Sequence, residues 1–422
     1  MTYTIIRGLL RLLLAIFYRR IEVHGLERVP ARGPLVIAAN HHNALVDPML
    51  LLVTIPRRLA PLTKSTLFRH PVIAPFLWLS GAVPVHRRQD AGGGPVSNVD
   101  MFATAIDRLR DGGGILIFPE GVSRAIPTLQ PLRTGIARLA LDAATASPQA
   151  APTVLPVGLV FHRPADFRAA RAIVVIGEPV PFADLVARHR EDPTEGVHAL
   201  TERVASALRA LIVEAEDMQT LRLLEVAHDV WHDSAEPAPS VERLAWMREA
   251  ARRLHTLPEA LRDRIDVLRR EFERYAKDAR GRADAPARIG RRRALWNVVR
   301  LVSGLPLALL GLAVHYPGYR VTAAAVHALR PEPDESATFQ LATGLVLFPV
   351  SWALEAALLA WLGGAWAVAA FIVALAPSGF YALSWRSRVA RLRRDLGAWT
   401  GDLATRRQWL RRELEELAEL TR

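Results

Sequence analysis

Residues 35–48 read LVIAANHHNALVDP, and this stretch decides the fold class. Five apolar residues come first and a polar run starts at Asn40, which is typical of a strand that is buried on both faces and ends there. Further strand-like runs follow, and they lie at 81–85, 114–118, 154–161 and 172–176. Helical patterns such as 99–111 lie between them, and this alternation predicts an α/β domain with a largely buried sheet.

His41, His42 and Asp47 follow the first of these strands directly. An aspartate can orient an imidazole and stabilise its protonated form, so the pattern predicts a general base with its supporting carboxylate. Because each helical residue turns by about 100°, the two side chains meet only if the histidine lies in the loop and the aspartate in the first helical turn. Adjacent histidine side chains diverge, which disfavours a metal site. An ordinary capped loop is the alternative reading.

Two later strand ends carry further polar residues. Residues 81–88, GAVPVHRR, place Arg87 and Arg88 after one strand, where guanidinium groups can grip a phosphate. Residues 115–124, ILIFPEGVSR, place Glu120, Gly121 and Arg124 after another. Taken singly, each of these stretches is also consistent with a strand end that carries a solvated charge.

In this order the stretches resemble the blocks of the glycerolipid acyltransferase family, which includes lysophosphatidate and glycerol-3-phosphate acyltransferases. The corresponding segments here are Asn40–Asp47, Gly81–Arg87, Phe118–Arg124 and Val154–Val160, with Lys64 and Pro71 matching a lysine-then-proline segment. The resemblance covers roughly residues 20–185. The family's usual spacing of four residues selects His42, whereas the asparagine that usually precedes the catalytic histidine selects His41. We favour His41 and keep both as candidates.

The resemblance implies transfer of a fatty acyl group from acyl-CoA or acyl-carrier protein to lysophosphatidate or glycerol 3-phosphate. His41 or His42 is then the base that takes the hydroxyl proton, and Asp47 orients it. The acceptor is expected to contact Arg87, Glu120, Gly121 and Arg124, with Arg88 and Arg133 as further candidates. The thioester is already activated, so neither a metal nor a redox cofactor is expected. Acylation of another lysophospholipid, or a non-catalytic lipid-binding or scaffold protein on the same fold, is the alternative.

Composition narrows the function classes further. The chain has 422 residues, a net charge of +12 and no cysteine. Disulfides, zinc thiolate sites and a cysteine nucleophile are therefore excluded. A basic balance fits nucleic acid, an anionic membrane or anionic substrates. The arginines cluster beside apolar segments without the interleaved aromatic residues of a stacking platform, so we expect no nucleic-acid partner.

Three apolar segments indicate a membrane. Residues 5–17 predict an amphipathic helix that lies on a bilayer, because the run is too short to span about 30 Å of hydrocarbon. Residues 301–314 carry no charge, and the 49 residues 337–385 carry one, Glu355. Gly363 and Gly364 divide the longer run into two lengths that each suffice for a crossing. It is therefore predicted to form a transmembrane helical hairpin.

Arginines flank this region at 288–300 and at 386–394, whereas the connector 315–336 is nearly balanced in charge. Two crossings, with 301–314 re-entrant or interfacial, keep both basic flanks and the catalytic domain cytoplasmic. Three crossings are the alternative. The predicted organisation is an amphipathic helix (1–20), a catalytic domain with a mixed sheet (21–185), a helical region (186–290), a membrane-embedded region (291–385) and a basic cytoplasmic tail (386–422). The sequence does not indicate the oligomeric state.

Overall fold

The computed structural model describes residues 2–71, 73–86, 98–147, 151–162, 167, 170–232, 240–256, 258–278, 291–397 and 401–420. The chain divides into two compact units. The first, which we call the sheet unit, comprises Met1–Glu214 and Pro331–Ala342. The second, the helical unit, comprises Ala215–Arg330 and Thr343–Arg422.

Within the described residues, seven strands form one sheet in the order β1-β7-β6-β2-β5-β3-β4. Their bounds are β1 Arg20–His24, β2 Leu35–Ala39, β3 Leu59–Lys64, β4 Val83–Val85, β5 Gly114–Ile117, β6 Thr153–His162 and β7 Arg171–Ile176. Neighbouring strands pair in parallel, except for β6 and β7, which pair antiparallel. The mixed α/β sheet predicted from the sequence is confirmed. The strands β1 and β3 were not predicted.

The helices of the sheet unit cover both faces of this sheet. Their bounds are α1 Thr2–Phe17, α2 Val46–Thr54, α3 Ala74–Ser80, α4 Val99–Arg110, α5 Gly135–Ala146, α6 Ala183–Glu191 and α7 Pro193–Arg209. Successive residues of β2 point to opposite faces, so Val36 and Ala38 join a core with α4, α5, α6 and α7. Leu35, Ile37 and Ala39 join a second core with α1 and α2. β2 is therefore buried on both faces, as its unbroken apolar run indicates.

Helix α1, at the start of the sheet unit, has one buried face and one exposed face. One face of α1 is packed into the second core through Leu14 and Phe17, while Ile5 and Leu12 are exposed on another face. A membrane role for that exposed face stays a prediction.

The sheet unit also continues to Glu214, past the expected boundary at residue 185, because α6 and α7 pack on the core that contains Val36 and Ala38. The boundaries at 20, 185, 290 and 385 remain sequence predictions.

The helical unit contains helices after residue 214. Their bounds are α8 Met218–Trp231, α9 Ser240–His255, α10 Arg262–Asp278, α11 Arg291–Ser303, α12 Leu305–Leu329, α13 Ser336–Gly397 and α14 Gly401–Leu420, of which α13 begins in the sheet unit. A 3-10 turn at Glu259–Leu261 lies between α9 and α10.

The connector 315–336 is helical as far as Leu329, and this helical part includes His315 and Pro317. Pro317 lies inside α12, and contacts with α13 hold the helix on both sides of it. His315 contacts Gly379, and Gly318 contacts Phe348. This packing keeps α12 helical at Pro317, although proline usually breaks or kinks a helix. The apolar segment 301–314 is itself divided, since α11 ends at Ser303 and α12 starts after Gly304.

Helix α13 is two helices merged across a kink at Gly364, where φ is 67° and ψ is −167°. The kink lies at the glycine pair that was expected to divide the apolar run. Both halves contact α12, since Trp352 Nε1 donates to His315 Nδ1 and His315 Nε2 lies 3.0 Å from the Leu375 carbonyl oxygen. Among the described residues, one helical stretch, Ser336–Val389, is long and apolar enough to cross a membrane. That it crosses twice stays a prediction.

Candidate functional site

Among the described residues, the polar side chains singled out in the sequence lie at the carboxyl ends of β2 and β5, which pair in parallel. Loops that leave this edge of a parallel sheet form the usual ligand crevice of α/β folds. The loop after β2 runs through residues 40–45 into α2, and we call it the catalytic loop. The segment after β5, residues 118–124, packs against it, and we call this the glutamate loop.

Asn40 fixes the start of the catalytic loop to the sheet. Its side-chain Nδ2 donates to the Leu159 carbonyl oxygen over 2.9 Å, and its Oδ1 accepts from the Leu159 N–H over 2.6 Å. The Asn40 side chain thus bonds both backbone groups of Leu159 on β6 and extends the contact between β2 and β6 beyond the end of β2. The backbone is therefore held in place directly before His41 and His42.

The structure brings the His41 ring, not the His42 ring, to Asp47. His41 Nδ1 lies 2.8 Å from Asp47 Oδ2, and Asp47 is completely buried in the first turn of α2. The same oxygen accepts the backbone N–H groups of His42 and Asn43, each over 2.8 Å. The His41 ring also stacks on Phe118 with centroids 4.1 Å apart. With Nδ1 turned to the carboxylate, Nε2 points away from it and is the atom that can exchange a proton with a substrate.

His42 has a different environment. Its Nδ1 lies 3.0 Å from the Arg124 carbonyl oxygen, and withdrawal of the ring from water lowers its pKa. It is therefore a neutral side chain that ties the catalytic loop to the glutamate loop. The geometry of a base with an orienting carboxylate belongs to His41, with five residues between the pair.

Glu120 lies under the catalytic loop. Its side chain is buried, with Oε1 accepting the His41 N–H over 2.6 Å and Oε2 accepting the Gln130 N–H over 2.9 Å. Burial raises the pKa of Glu120 to about 7, and these two hydrogen bonds oppose that shift. Glu120 thus holds the backbone of the catalytic loop, which the sequence did not indicate. Its contact with an acceptor stays a prediction.

Gly121 lets the glutamate loop turn beneath an arginine. Its φ of 70° is in the left-handed region, and a Cβ there would lie 2.5 Å from Arg133 Nε. A larger residue would therefore have to displace the Arg133 side chain as well as adopt a strained backbone. Arg133 itself is anchored by its N–H, which donates to the Pro119 carbonyl oxygen over 2.7 Å.

Hydrogen bonds donated by backbone N–H groups connect the two loops. The Arg124 N–H donates to the His41 carbonyl oxygen over 3.0 Å, and Ser123 Oγ accepts the Ala44 N–H over 2.9 Å. Ala44 has a φ of 35°, a strained value for a residue with a Cβ, so this bond fixes an unusual turn. The Arg124 side chain is exposed at this edge. Arg87 and Arg88 lie outside the described residues.

Two side chains of the site come from distant parts of the sequence. Tyr18 is buried beside the pair, where its hydroxyl accepts from Asn43 Nδ2 over 3.2 Å, and burial raises its pKa. Thr338 Oγ1 accepts the N–H of Leu45, which lies 293 residues earlier in the chain. Neither residue belongs to a motif, so no sequence signal marked them.

Comparison with known proteins finds similarity to acyltransferases. Residues 20–160 match the acyltransferase family model. Glycerol-3-phosphate O-acyltransferase 2 of Saccharomyces cerevisiae is 31% identical over 32% of this chain and 18% of its own length. The 1-acyl-sn-glycerol-3-phosphate acyltransferase alpha of Bos taurus is 25% identical over 46% of this chain and 63% of its own.

This chain thus spans less than two thirds of the length of either relative. Among solved structures, the 1-acyl-sn-glycerophosphate acyltransferase of Thermotoga maritima is 19% identical and has a TM-score of 0.34. It covers 49% of this chain, and the match covers 80% of that chain.

Proposed function

We propose that this chain is an acyltransferase of the glycerolipid type, which transfers a fatty acyl group from a thioester donor to the hydroxyl of lysophosphatidate or glycerol 3-phosphate. The donor is acyl-CoA or acyl-carrier protein. The observation that carries the proposal is the pairing of His41 Nδ1 with the buried Asp47 over 2.8 Å at the carboxyl edge of the sheet.

In this reaction His41 Nε2 takes the proton of the acceptor hydroxyl as that oxygen attacks the thioester carbonyl carbon. Asp47 offsets the positive charge that forms on the imidazole and keeps its Nδ1 proton in place. When the tetrahedral intermediate collapses, the C–S bond breaks and the leaving thiolate takes the proton back from His41. The products are the ester and the free thiol, and the enzyme returns to its starting state.

Direct transfer fits these residues better than an acyl-enzyme. The chain has no cysteine, and the Ser123 hydroxyl is already engaged with the Ala44 N–H. Donor and acceptor then bind together, and their orientation supplies part of the rate enhancement. The thioester is activated before it binds, so the proposed reaction needs neither a metal nor a redox cofactor.

The acceptor phosphate is assigned to arginines at this edge. Arg124 is exposed beside the catalytic loop, and its guanidinium can form two parallel bonds to a phosphate. Arg87 and Arg88 are proposed to assist, on the strength of their place after β4. Gly121 lies against the Arg133 side chain, which is a further candidate for the phosphate.

We place the protein at a membrane, with the catalytic domain on the cytoplasmic face. The supporting observations are the apolar stretch Ser336–Val389 and the arginine clusters on both sides of the region. The exposed apolar face of α1 is a further candidate for contact with lipid. Long acyl chains partition into the bilayer, so an enzyme that handles them benefits from lying beside it.

The experiment uses the full chain, purified in detergent, with labelled acyl-CoA or acyl-carrier protein and a panel of acceptors. Lysophosphatidate, glycerol 3-phosphate and other lysophospholipids are offered separately, and products are resolved by chromatography. We expect a new labelled ester with one phosphate-bearing acceptor. Binding of these lipids without any transfer would instead support the non-catalytic alternative.

A further inference from the structure

The segment Pro331–Ala342, which we call the strap, follows α12, includes the first residues of α13 and belongs to the sheet unit. Ala337 is 1% exposed and lies in the core that also holds Leu14 and Leu50, and Leu341 packs against the same core. The first residues of the run 337–385, which the sequence predicts to form a membrane hairpin, are therefore packed in the sheet unit.

The strap reaches the catalytic loop through one polar side chain. Thr338 Oγ1 accepts the N–H of Leu45 over 3.2 Å. Leu45 is the N-cap residue of α2 and its side chain cannot cap the helix, so an acceptor for this part of the backbone has to come from elsewhere. Asp47, which orients His41, lies two residues further on.

The bond completes a series. Each backbone N–H from residue 41 to residue 45 donates to a side-chain oxygen. In chain order the acceptors are Glu120, Asp47, Asp47, Ser123 and Thr338. The first four acceptors belong to the glutamate loop and to Asp47 in α2. The fifth bond, nearest the start of α2, is made by the strap.

One charged contact places the acidic part of the strap near the edge of the sheet. Burial raises the pKa of Glu335, the nearby Asp334 and Glu332 add to that shift, and Lys64 opposes it. Lys64 ends β3 at the same carboxyl edge of the sheet as the catalytic loop. The acidic part of the strap therefore lies near a lysine of that edge, while its apolar residues enter the core.

From these contacts we propose that Thr338 is a positioning residue for acyl transfer, holding the Leu45 N–H so that Asp47 meets His41 in the reactive geometry. This inference rests on the proposed acyl transfer. Small displacements of a catalytic pair lower the rate of the chemical step without weakening substrate binding. The hydroxyl is the necessary group, so serine can replace threonine and valine cannot.

The test compares three variants of the full chain in detergent: Thr338→Val, Thr338→Ser and Ser336→Ala. The last is a matched control, because Ser336 Oγ donates to the Glu332 carbonyl oxygen within the strap, also over 3.2 Å. For each variant, kcat, both KM values and the midpoint of thermal unfolding are measured. Hydrogen exchange at the Leu45 amide is followed in parallel, since it reports the bond independently of activity.

We expect Thr338→Val to lower kcat about fivefold to tenfold with both KM values and the unfolding midpoint nearly unchanged. The Leu45 amide should exchange faster in that variant alone, and the serine and alanine variants should match wild type. An unchanged kcat in Thr338→Val, or a serine variant as slow as the valine variant, would overturn the proposal.

Should Thr338→Val lower the unfolding midpoint, Thr338→Ala takes its place under the same criteria. Unfolding of both variants also counts against the proposal, because a positioning role leaves the fold intact. A wild-type chain that transfers no acyl group would overturn the proposed function, whereas an active wild type with an insensitive Thr338 would overturn only this inference.

Discussion

The catalytic loop and the apolar part of α13 are stabilised in opposite ways. In the loop, residues 41–45 each donate their N–H to an identified side-chain oxygen. Along α13, large apolar side chains are exposed, and Trp361 and Trp366 are 82% and 80% accessible. The conformation of the catalytic loop depends on single hydrogen-bonded pairs. The behaviour expected of α13 depends on its length and its apolar composition.

This difference teaches which substitutions each region tolerates. Removing one acceptor from the loop leaves a donor unsatisfied and moves a catalytic group, so single changes are costly. In the apolar part of α13 after Ala342, the exposed large side chains together form the surface on which the proposed lipid contact rests, and no single one of them is expected to be essential. The predictions below test the two halves of this comparison.

The largest effect is expected from the topology of the apolar region, because labelling is all or none. Single cysteines replace Leu295, Trp366 and Arg386 in turn, and the chain has no cysteine of its own. With a membrane-impermeant maleimide, positions 295 and 386 should label from one side of the membrane and position 366, next to the kink, from the other. Labelling of 295 and 386 from opposite sides would establish an odd number of crossings.

Asp47→Asn tests the loop side of the comparison. Asparagine can still accept the backbone bonds, but it carries no charge to stabilise a protonated His41. We expect kcat to fall on the order of 10²–10⁴-fold. The matched control is Asp142→Asn, which removes the charge from another aspartate–histidine pair of the sheet unit, to His189 Nε2 over 2.9 Å. Equal activity in the two variants would contradict the role of Asp47.

Arg124→Lys tests phosphate binding at the exposed edge of the site. Lysine keeps the charge but loses the two-pronged guanidinium, so the KM for the acceptor should rise about tenfold while the KM for the acyl donor changes little. Arg110→Lys is the control, because Arg110 is an exposed arginine at the end of α4. A matching rise in both KM values would point instead to donor binding or damage to the fold.

The smallest effect concerns the pH dependence of stability. Burial raises the pKa of Glu120 to about 7, from 4.5 in the unfolded chain. The folded chain holds this proton more tightly, so the stabilising contribution is complete below about 4.5 and is lost as the pH rises through about 7. Between about pH 5 and about pH 8, the unfolding midpoint of wild type should therefore fall relative to that of Glu120→Gln, which does not titrate there. Parallel midpoints would contradict the raised pKa.

The sequence predicted the strands that are buried and unbroken. Bounds for β2, β5, β6 and β7 were correct to within about two residues, because an apolar run is a direct record of burial on both faces. Strand β1 has the sequence RIEVH and lies at an edge of the sheet. Because it contains charged residues, it has no apolar run by which it could be predicted. Strand β3 contains Pro61, which normally argues against a strand inside a sheet.

The site was predictable only in part. The motifs identified His41, His42 and Asp47, but spacing alone could not select the histidine that pairs with the aspartate. That choice depends on the turn at Ala44, with a φ of 35°, and on its bond to Ser123. Contacts of Tyr18 and Thr338 with the loop depend on tertiary packing across long sequence separations, which no local pattern records.

The most direct measurement is acyl transfer by wild type, His41→Ala and His42→Ala under identical conditions, with the unfolding midpoint of each checked. Because His41 carries the bond to Asp47, its replacement should lower kcat on the order of 10²–10⁴-fold. His42→Ala, which loses only a tie between two loops, should stay within about tenfold of wild type. A collapse of activity in His42→Ala with His41→Ala near normal, or normal rates in both, would contradict the assignment of His41 as the base.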